Sequence, residues 1–160
     1  MIKQALYFAY GSNLNRNQML QRCPRARFFG PATLVGYRLT FPEGIANVEQ
    51  GSTNIVEGGL WTISNECLQA LDRYEGFPKL YLRKWVTVTL QDGTLRQALI
   101  YVRSARRPLE PPSARYLGSI VRGYRDFKLS SNATSQLLQS VLDAELELER
   151  RQKSWIGYTL

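Results

Sequence analysis

Leu80 to Leu90 (LYLRKWVTVTL), the turn Gln91-Asp92-Gly93-Thr94 and the returning run Leu95 to Val102 constrain this chain more than any other segment. β-Branched and aromatic residues alternate with polar ones, and Asp-Gly is a hairpin turn signal. An antiparallel pair is therefore expected, and a lone hairpin is not stable in water, so further strands must join it. Gln4 to Tyr10 (QALYFAY) reads as a buried strand that stops at Gly11. Ala26 to Phe41 is strand-rich, with an interruption at Gly30-Pro31. Asn54 to Ile63 is a further strand, in which Gly58-Gly59 marks a bulge or a close backbone approach.

Helical spacing appears in short pieces and then dominates the end. Asn13 or Asn15 caps a short helix that runs to Cys23 and is ended by Pro24. Ser64 caps a helix in which Cys67, Leu68, Leu71 and Tyr74 share a face, and Gly76 lies just past its stop. The proline-dense segment Arg106 to Pro112 reads as a loop entering a helix at Ser113, which carries Tyr116, Ile120 and Val121. A last helix is expected from about Ser131 to Arg151, with Leu137, Leu138, Val141, Leu142, Ala144 and Leu148 as its apolar stripe. The tail Trp155 to Leu160 is apolar enough to dock. Strands first and helices last give an α+β class. At 160 residues, without repeats or linkers, the chain reads as one domain over 1–160, with the C-terminal helix and tail at about 131–160.

Composition narrows the chemistry. With no histidine, Ser-His-Asp and Cys-His mechanisms, HExxH zinc sites and histidine proton shuttles are all excluded. Two cysteines, Cys23 and Cys67, are too few for a structural zinc site and are expected to be reduced core thiols, which fits a reducing compartment. No apolar run approaches the ~18 residues of a membrane span, and the first residues do not read as a signal peptide. A cytoplasmic protein is expected. The net charge is +8, with several arginines between Arg103 and Arg125. A basic face attracts acidic partners, but no base-reading or base-stacking pattern accompanies these cations, so a solvated surface is expected.

Three features could carry chemistry. In YFAYGSNL, Tyr7 to Leu14, a strand delivers the backbone into Gly11, and the N–H groups of Gly11, Ser12 and Asn13 could face one point as an anion nest. The alternative is a strand running into a plain turn. In LDRYEGF, Leu71 to Phe77, Glu75 sits at a helix C-terminus, where the dipole disfavours an anion. Buried among Tyr74, Phe77 and Tyr81 it would hold its proton more tightly and suit a general base; exposed, it is a solvent-facing helix end. In Pro111 to Tyr116, with Gly118 and Gly123, Tyr116 is either a pocket hydroxyl or a core aromatic.

Together these features resemble the small gamma-glutamylcyclotransferase family. The resemblance rests on YFAYGSNL, on Gly44-Ile45-Ala46-Asn47, on Gly58-Gly59-Leu60-Trp61, on LDRYEGF followed by LYLR, and on PPSARY, in the family's order over roughly Leu6 to Gly123. It implies a small mixed β-barrel, mostly closed, with flanking helices. It implies that a gamma-glutamyl amide is cyclised to 5-oxoproline with release of an amine, with Glu75 as the catalytic base. The role of holding the gamma-glutamyl group falls on Tyr7, Phe8, Ala9, Tyr10, Gly11 and Ser12, followed by Asn13, with Tyr116 as a later substrate contact. The arginines from Arg103 to Arg107 and the C-terminal helix with its tail depart from better-known members. No cofactor or metal is expected. The expected partner is a small-molecule gamma-glutamyl substrate, not a specific nucleic acid or a membrane, bound by a monomer or homodimer. The competing function is a non-catalytic basic binding module on the same fold.

Overall fold

In the computed structural model, which describes residues 4–157, five strands close into a barrel in the order β1-β3-β2-β4-β5. They are β1 (Ala5–Ala9), β2 (Arg27–Thr40), β3 (Asn47–Ile63), β4 (Tyr81–Leu90) and β5 (Leu95–Arg103). Helices α1 (Arg16–Arg22), α2 (Asn65–Glu75), α3 (Ala114–Asp126) and α4 (Ser131–Gly157) flank it. The expected β4–β5 hairpin is present, paired from Tyr81↔Arg103 to Thr89↔Leu95. Long β2 and β3 form a second hairpin, and β1 adds to β3 from Ala5↔Ile63 to Ala9↔Gly59. The barrel closes on a parallel pairing of β1 with β5, at Tyr7↔Leu99. Apolar residues from all five strands fill the interior, including the fully buried Phe8, Leu60 and Ile100.

The local signals explain most of the boundaries. Asn15 caps α1, accepting from the Gln18 N–H, and Ser64 caps α2, accepting from the Cys67 N–H. Gly76 ends α2 with φ 67°, a left-handed conformation that suits glycine. The glycine pair in β3 marks close approach rather than a bulge. A Cβ on Gly58 would sit 2.5 Å from the Phe8 ring, and one on Gly59 would sit 2.4 Å from the Phe127 ring. A bulge lies instead in β2, between Phe28 and Gly30, so this strand bends without breaking at Gly30-Pro31; a second register shift, between Val35 and Tyr37, is taken up in β3 between Gln50 and Ile55.

Three expectations are corrected. β3 begins at Asn47, well before Asn54, because its early residues pair with the far end of β2. On α4 the buried face is Ala133, Leu137, Ser140 and Ala144, whereas Leu138 and Leu142 are exposed. Small residues serve here because the helix lies close to β2, near enough for the Ser140 hydroxyl to donate to the Leu39 carbonyl at 2.8 Å. Cys23 and Cys67 are buried as expected but are not free: they are joined as a disulfide, with Cα atoms 5.3 Å apart. The first turn of α2 packs beside the end of α1, a proximity that a separation of 44 residues does not reveal. Trp155, Ile156 and Gly157 are exposed at the end of α4, and positions 158–160 of the expected docking tail lie outside the described residues.

Candidate active site

β1 delivers the chain to one end of the barrel, where Tyr10 and Gly11 lead into a 3-10 turn, Ser12–Leu14. The turn's own bonds begin at Leu14 and Asn15, whose N–H groups donate to the Gly11 and Ser12 carbonyls at 3.1 and 3.0 Å. The preceding N–H groups occupy helix-start positions, which have no partner inside the helix. A Cβ on Gly11 would lie 3.0 Å from the Ala46 methyl and 3.4 Å from the Tyr116 hydroxyl. Glycine therefore keeps the gap between the turn and α3 open.

α2 presents Glu75 as its last residue, facing the turn from the other side. The Asn13 amide donates to Glu75 Oε1 at 3.3 Å and to the Tyr7 hydroxyl at 2.9 Å. Tyr116, in the first turn of α3, accepts through its hydroxyl from the Ala46 N–H at 3.1 Å. The Tyr81 hydroxyl donates to the Ala46 carbonyl at 3.1 Å, so two tyrosines from different elements hold the two peptide groups that flank Ala46. These groups enclose a cavity of about 180 Å³. Tyr7, Tyr10, Gly11, Ser12, Asn13, Glu75 and Tyr116, all expected from sequence, line it.

Phe8 and Ala9 do not line it. In a strand successive side chains point to opposite faces, so Tyr7 and Phe8 cannot share one. Phe8 is fully buried and packs against Gly58, and Ala9 pairs with Gly59. Both are core residues; strand alternation was the signal that separates Phe8 from the site, whereas Ala9 shares the face of Tyr7 and is set apart by its packing in the barrel. Tyr74 and Tyr81 line the cavity, but Phe77 does not; the guanidinium of Arg83 stacks on its ring. Sequence reasoning missed Tyr101, Ile45 and Ala46 as lining residues. Tyr101 comes from β5, accepts the Tyr10 hydroxyl at its carbonyl and donates its own hydroxyl to Asp72 at 2.6 Å. Nothing local in sequence connects it to Glu75.

Burial sets the electrostatics. Loss of solvent pushes the Glu75 carboxyl up to about 7, and the nearby Arg22 charge opposes that rise. Burial likewise raises Tyr7, Tyr10, Tyr81 and Tyr101, and pushes Tyr116 up to about 12, against the Ala46 hydrogen bond. Near neutral pH the cavity thus offers neutral hydroxyls around one carboxyl that exchanges its proton easily. Of the basic stretch, Arg103 reaches towards this region, but it is ion-paired with Glu43, and its N–H donates to Asn47 at 3.0 Å. Arg107 shares Glu43 at 4.0 Å. Among the described residues there is no cluster of three or more metal-binding side chains, and no helix is long and apolar enough to cross a membrane.

Comparison with known proteins gives one consistent answer. The family model described as "Gamma-glutamyl cyclotransferase, AIG2-like" matches residues 7–118. The chain is 32% identical over 133 residues to a gamma-glutamylcyclotransferase of Bos taurus, and equally to one of Homo sapiens, covering 76% of this chain and 70% of each relative. A solved structure of a gamma-glutamyl cyclotransferase superposes with a TM-score of 0.77 at 30% identity, over 84% of this chain and 86% of that one. The closed barrel with flanking helices, the α+β class read from the sequence, is that shared fold.

Proposed function

This chain belongs to the gamma-glutamyl cyclotransferase, AIG2-like family, and from that premise we propose that it cyclises a gamma-glutamyl amide to 5-oxoproline and releases the free amine. One observation carries the reading. Glu75 sits in the cavity opposite the Gly11–Asn13 turn, hydrogen-bonded by Asn13, with its carboxyl poised near neutrality.

The substrate supplies its own nucleophile, so no enzyme nucleophile is needed. Glu75 takes a proton from the substrate's α-ammonium group, and the freed amine attacks the γ-carbonyl carbon. The N–H groups at the start of the turn hold the oxyanion that develops there. When the intermediate collapses, the C–N bond to the leaving group breaks and Glu75 returns its proton to the departing amine; the second proton of the attacking nitrogen, now cationic, follows through the same carboxylate, so the lactam keeps one N–H and the amine leaves as an ammonium. The products are 5-oxoproline and the amine, with no water consumed. The enclosed cavity keeps water away from the acyl carbon and folds the glutamyl chain for ring closure. The test is 5-oxoproline release from a panel of gamma-glutamyl amino acids, gamma-glutamylamines and glutathione by the intact protein. Release from at least one class is expected; release from none overturns the proposal.

The same carboxyl sets the pH dependence. A base must be ionised to accept a proton, so kcat/KM is expected to rise about tenfold per pH unit below about 7 and to level off above it. Stability moves in the opposite sense. The folded carboxyl keeps its proton where the unfolded one, near 4.5, has lost it, so the Glu75 contribution to stability falls as pH rises from about 4.5 through about 7. Initial rates and denaturant midpoints at matched pH values check both limbs. A rate profile flat from pH 5 to 8 would remove Glu75 as the base.

A further inference from the structure

We propose that Arg22 is a positioning residue of this site, which fixes the orientation of the Asn13 amide and holds the Ser12 hydroxyl, and thereby aims the turn at Glu75. The proposal rests on the cyclotransferase reading above. Arg22 is the last residue of α1 and does not line the cavity. Its guanidinium is nevertheless held on several sides. One nitrogen donates to Asn13 Oδ1 at 2.5 Å and to Ser12 Oγ at 3.1 Å, and the other donates to Gln18 Oε1 at 3.0 Å. The plane stacks on the Tyr74 ring, with its carbon 3.7 Å from the ring centre.

The consequence follows from the asymmetry of an amide. Asn13 has one accepting and one donating end. Arg22 can only donate, so it claims the oxygen and leaves the NH₂ pointing at Tyr7 and Glu75. Without Arg22 nothing in this contact set prevents the amide from turning its oxygen towards the carboxylate, which would repel it. The planar fork of arginine divides its work: one nitrogen reaches both Asn13 and Ser12, while the other, on Gln18, and the guanidinium over Tyr74 hold that nitrogen in place; a lysine would supply charge without these anchors. Two attachments keep Arg22 in place. The next residue, Cys23, is bonded to Cys67 of α2, and Tyr74 and Glu75 end that same helix.

Arg22 also supplies the positive charge that acts on Glu75. The other titratable groups facing that carboxyl are Tyr7 and Tyr10 from β1 and its extension, Tyr81 from β4, Tyr116 from α3 and the neighbouring Tyr74; the first four keep their protons at neutral pH. Two variants separate charge from orientation. Arg22→Gln is expected to lower kcat about tenfold or more and to move the acid limb of kcat/KM upward by roughly one pH unit. Arg22→Lys is expected to keep the limb near its original position while kcat stays about tenfold down, because the Gln18 and Tyr74 contacts that hold the donor nitrogen on Asn13 are lost. Where Arg22→Gln does not fold, the kcat loss in Arg22→Lys without a change in melting temperature carries the test.

The Glu75 carboxyl is also titrated by ¹³C NMR in the unmodified protein and in both variants, which needs no turnover. A midpoint raised in Arg22→Gln alone supports the proposal even if the substrate panel shows no cyclisation, in which case it is the reaction that has been misassigned. Normal cyclisation with an unmoved midpoint and unchanged kcat in Arg22→Gln overturns the role of Arg22 and leaves the reaction standing.

Discussion

Glu75→Gln is expected to lower turnover on gamma-glutamyl substrates by on the order of 10²-fold or more while the protein melts at or slightly above its original temperature. The amide keeps the size and hydrogen-bonding reach of the carboxyl but cannot take a proton from the substrate's ammonium group. The expectation about stability follows from the same burial that raises the Glu75 pKa. A desolvated carboxylate at a helix C-terminus is unfavourable, so neutralising it removes a cost rather than a contact. Circular dichroism and thermal melts check the fold, and single-turnover 5-oxoproline release checks the chemistry. Near-normal turnover with an intact fold would exclude Glu75 as the proton carrier.

Gly123→Ala is expected to destabilise the protein by about 3 kcal/mol, a drop in melting temperature of about 6 to 12 °C for a chain of this size. Gly123 lies inside α3, where alanine would ordinarily gain about 1 kcal/mol through helix propensity. Here the added Cβ would lie 2.4 Å from Leu14 Cβ, 2.6 Å from the Leu14 carbonyl carbon and 2.7 Å from the Asn15 nitrogen. Two of these neighbours are backbone and cannot swing aside, so the steric cost exceeds the propensity gain. α3 must then move off the turn that carries Ser12 and Asn13, so activity falls along with stability. Gly118→Ala is the control in the same helix: it is exposed, nothing lies within 4 Å of its Cβ position, and it is expected to be neutral or stabilising. Calorimetry on the two variants tests the pair, and equal melting temperatures would show that the α3 contact yields.

What the sequence made legible was whatever is decided locally. The Ser64 cap, the Gly76 stop and the Asp92-Gly93 turn each act within four residues, so α2, its end at Glu75 and the β4–β5 hairpin could be read directly. The YFAYGSNL, LDRYEGF and PPSARY segments brought Gly11, Glu75 and Tyr116 to attention, and they do meet in one cavity. What was not legible depends on contacts between distant segments. The β1–β5 closure at Tyr7↔Leu99, the arrival of Tyr101 beside Tyr10 and the Cys23–Cys67 bond have no local signature. Arg22 has no local signal of its own, and only the fold brings it onto Asn13, nine residues earlier. The stripe on α4 held at Leu137, Val141 and Ala144 and failed at Leu138 and Leu142 for a different reason. Hydropathy favours Leu138 and Leu142, whereas a helix pressed against a strand buries its small residues.

The Trp61 indole has a consequence for observation. Its N–H donates to the Asn13 carbonyl at 2.9 Å, and its ring is fully buried, edge-on to Phe28 and Phe127. A chromophore is thus wired to the backbone of the turn that faces Glu75. The other two tryptophans, Trp85 and Trp155, are exposed and would dominate the emission of the intact chain. In a Trp85→Phe, Trp155→Phe double variant the remaining tryptophan fluorescence, excited selectively over the nine tyrosines, comes from Trp61 alone. Titrating in 5-oxoproline should then change its intensity or wavelength as the Asn13 peptide is polarised, giving a label-free binding isotherm. The same signal, followed by stopped flow, would time the arrival of ligand at the turn apart from the bond-breaking step.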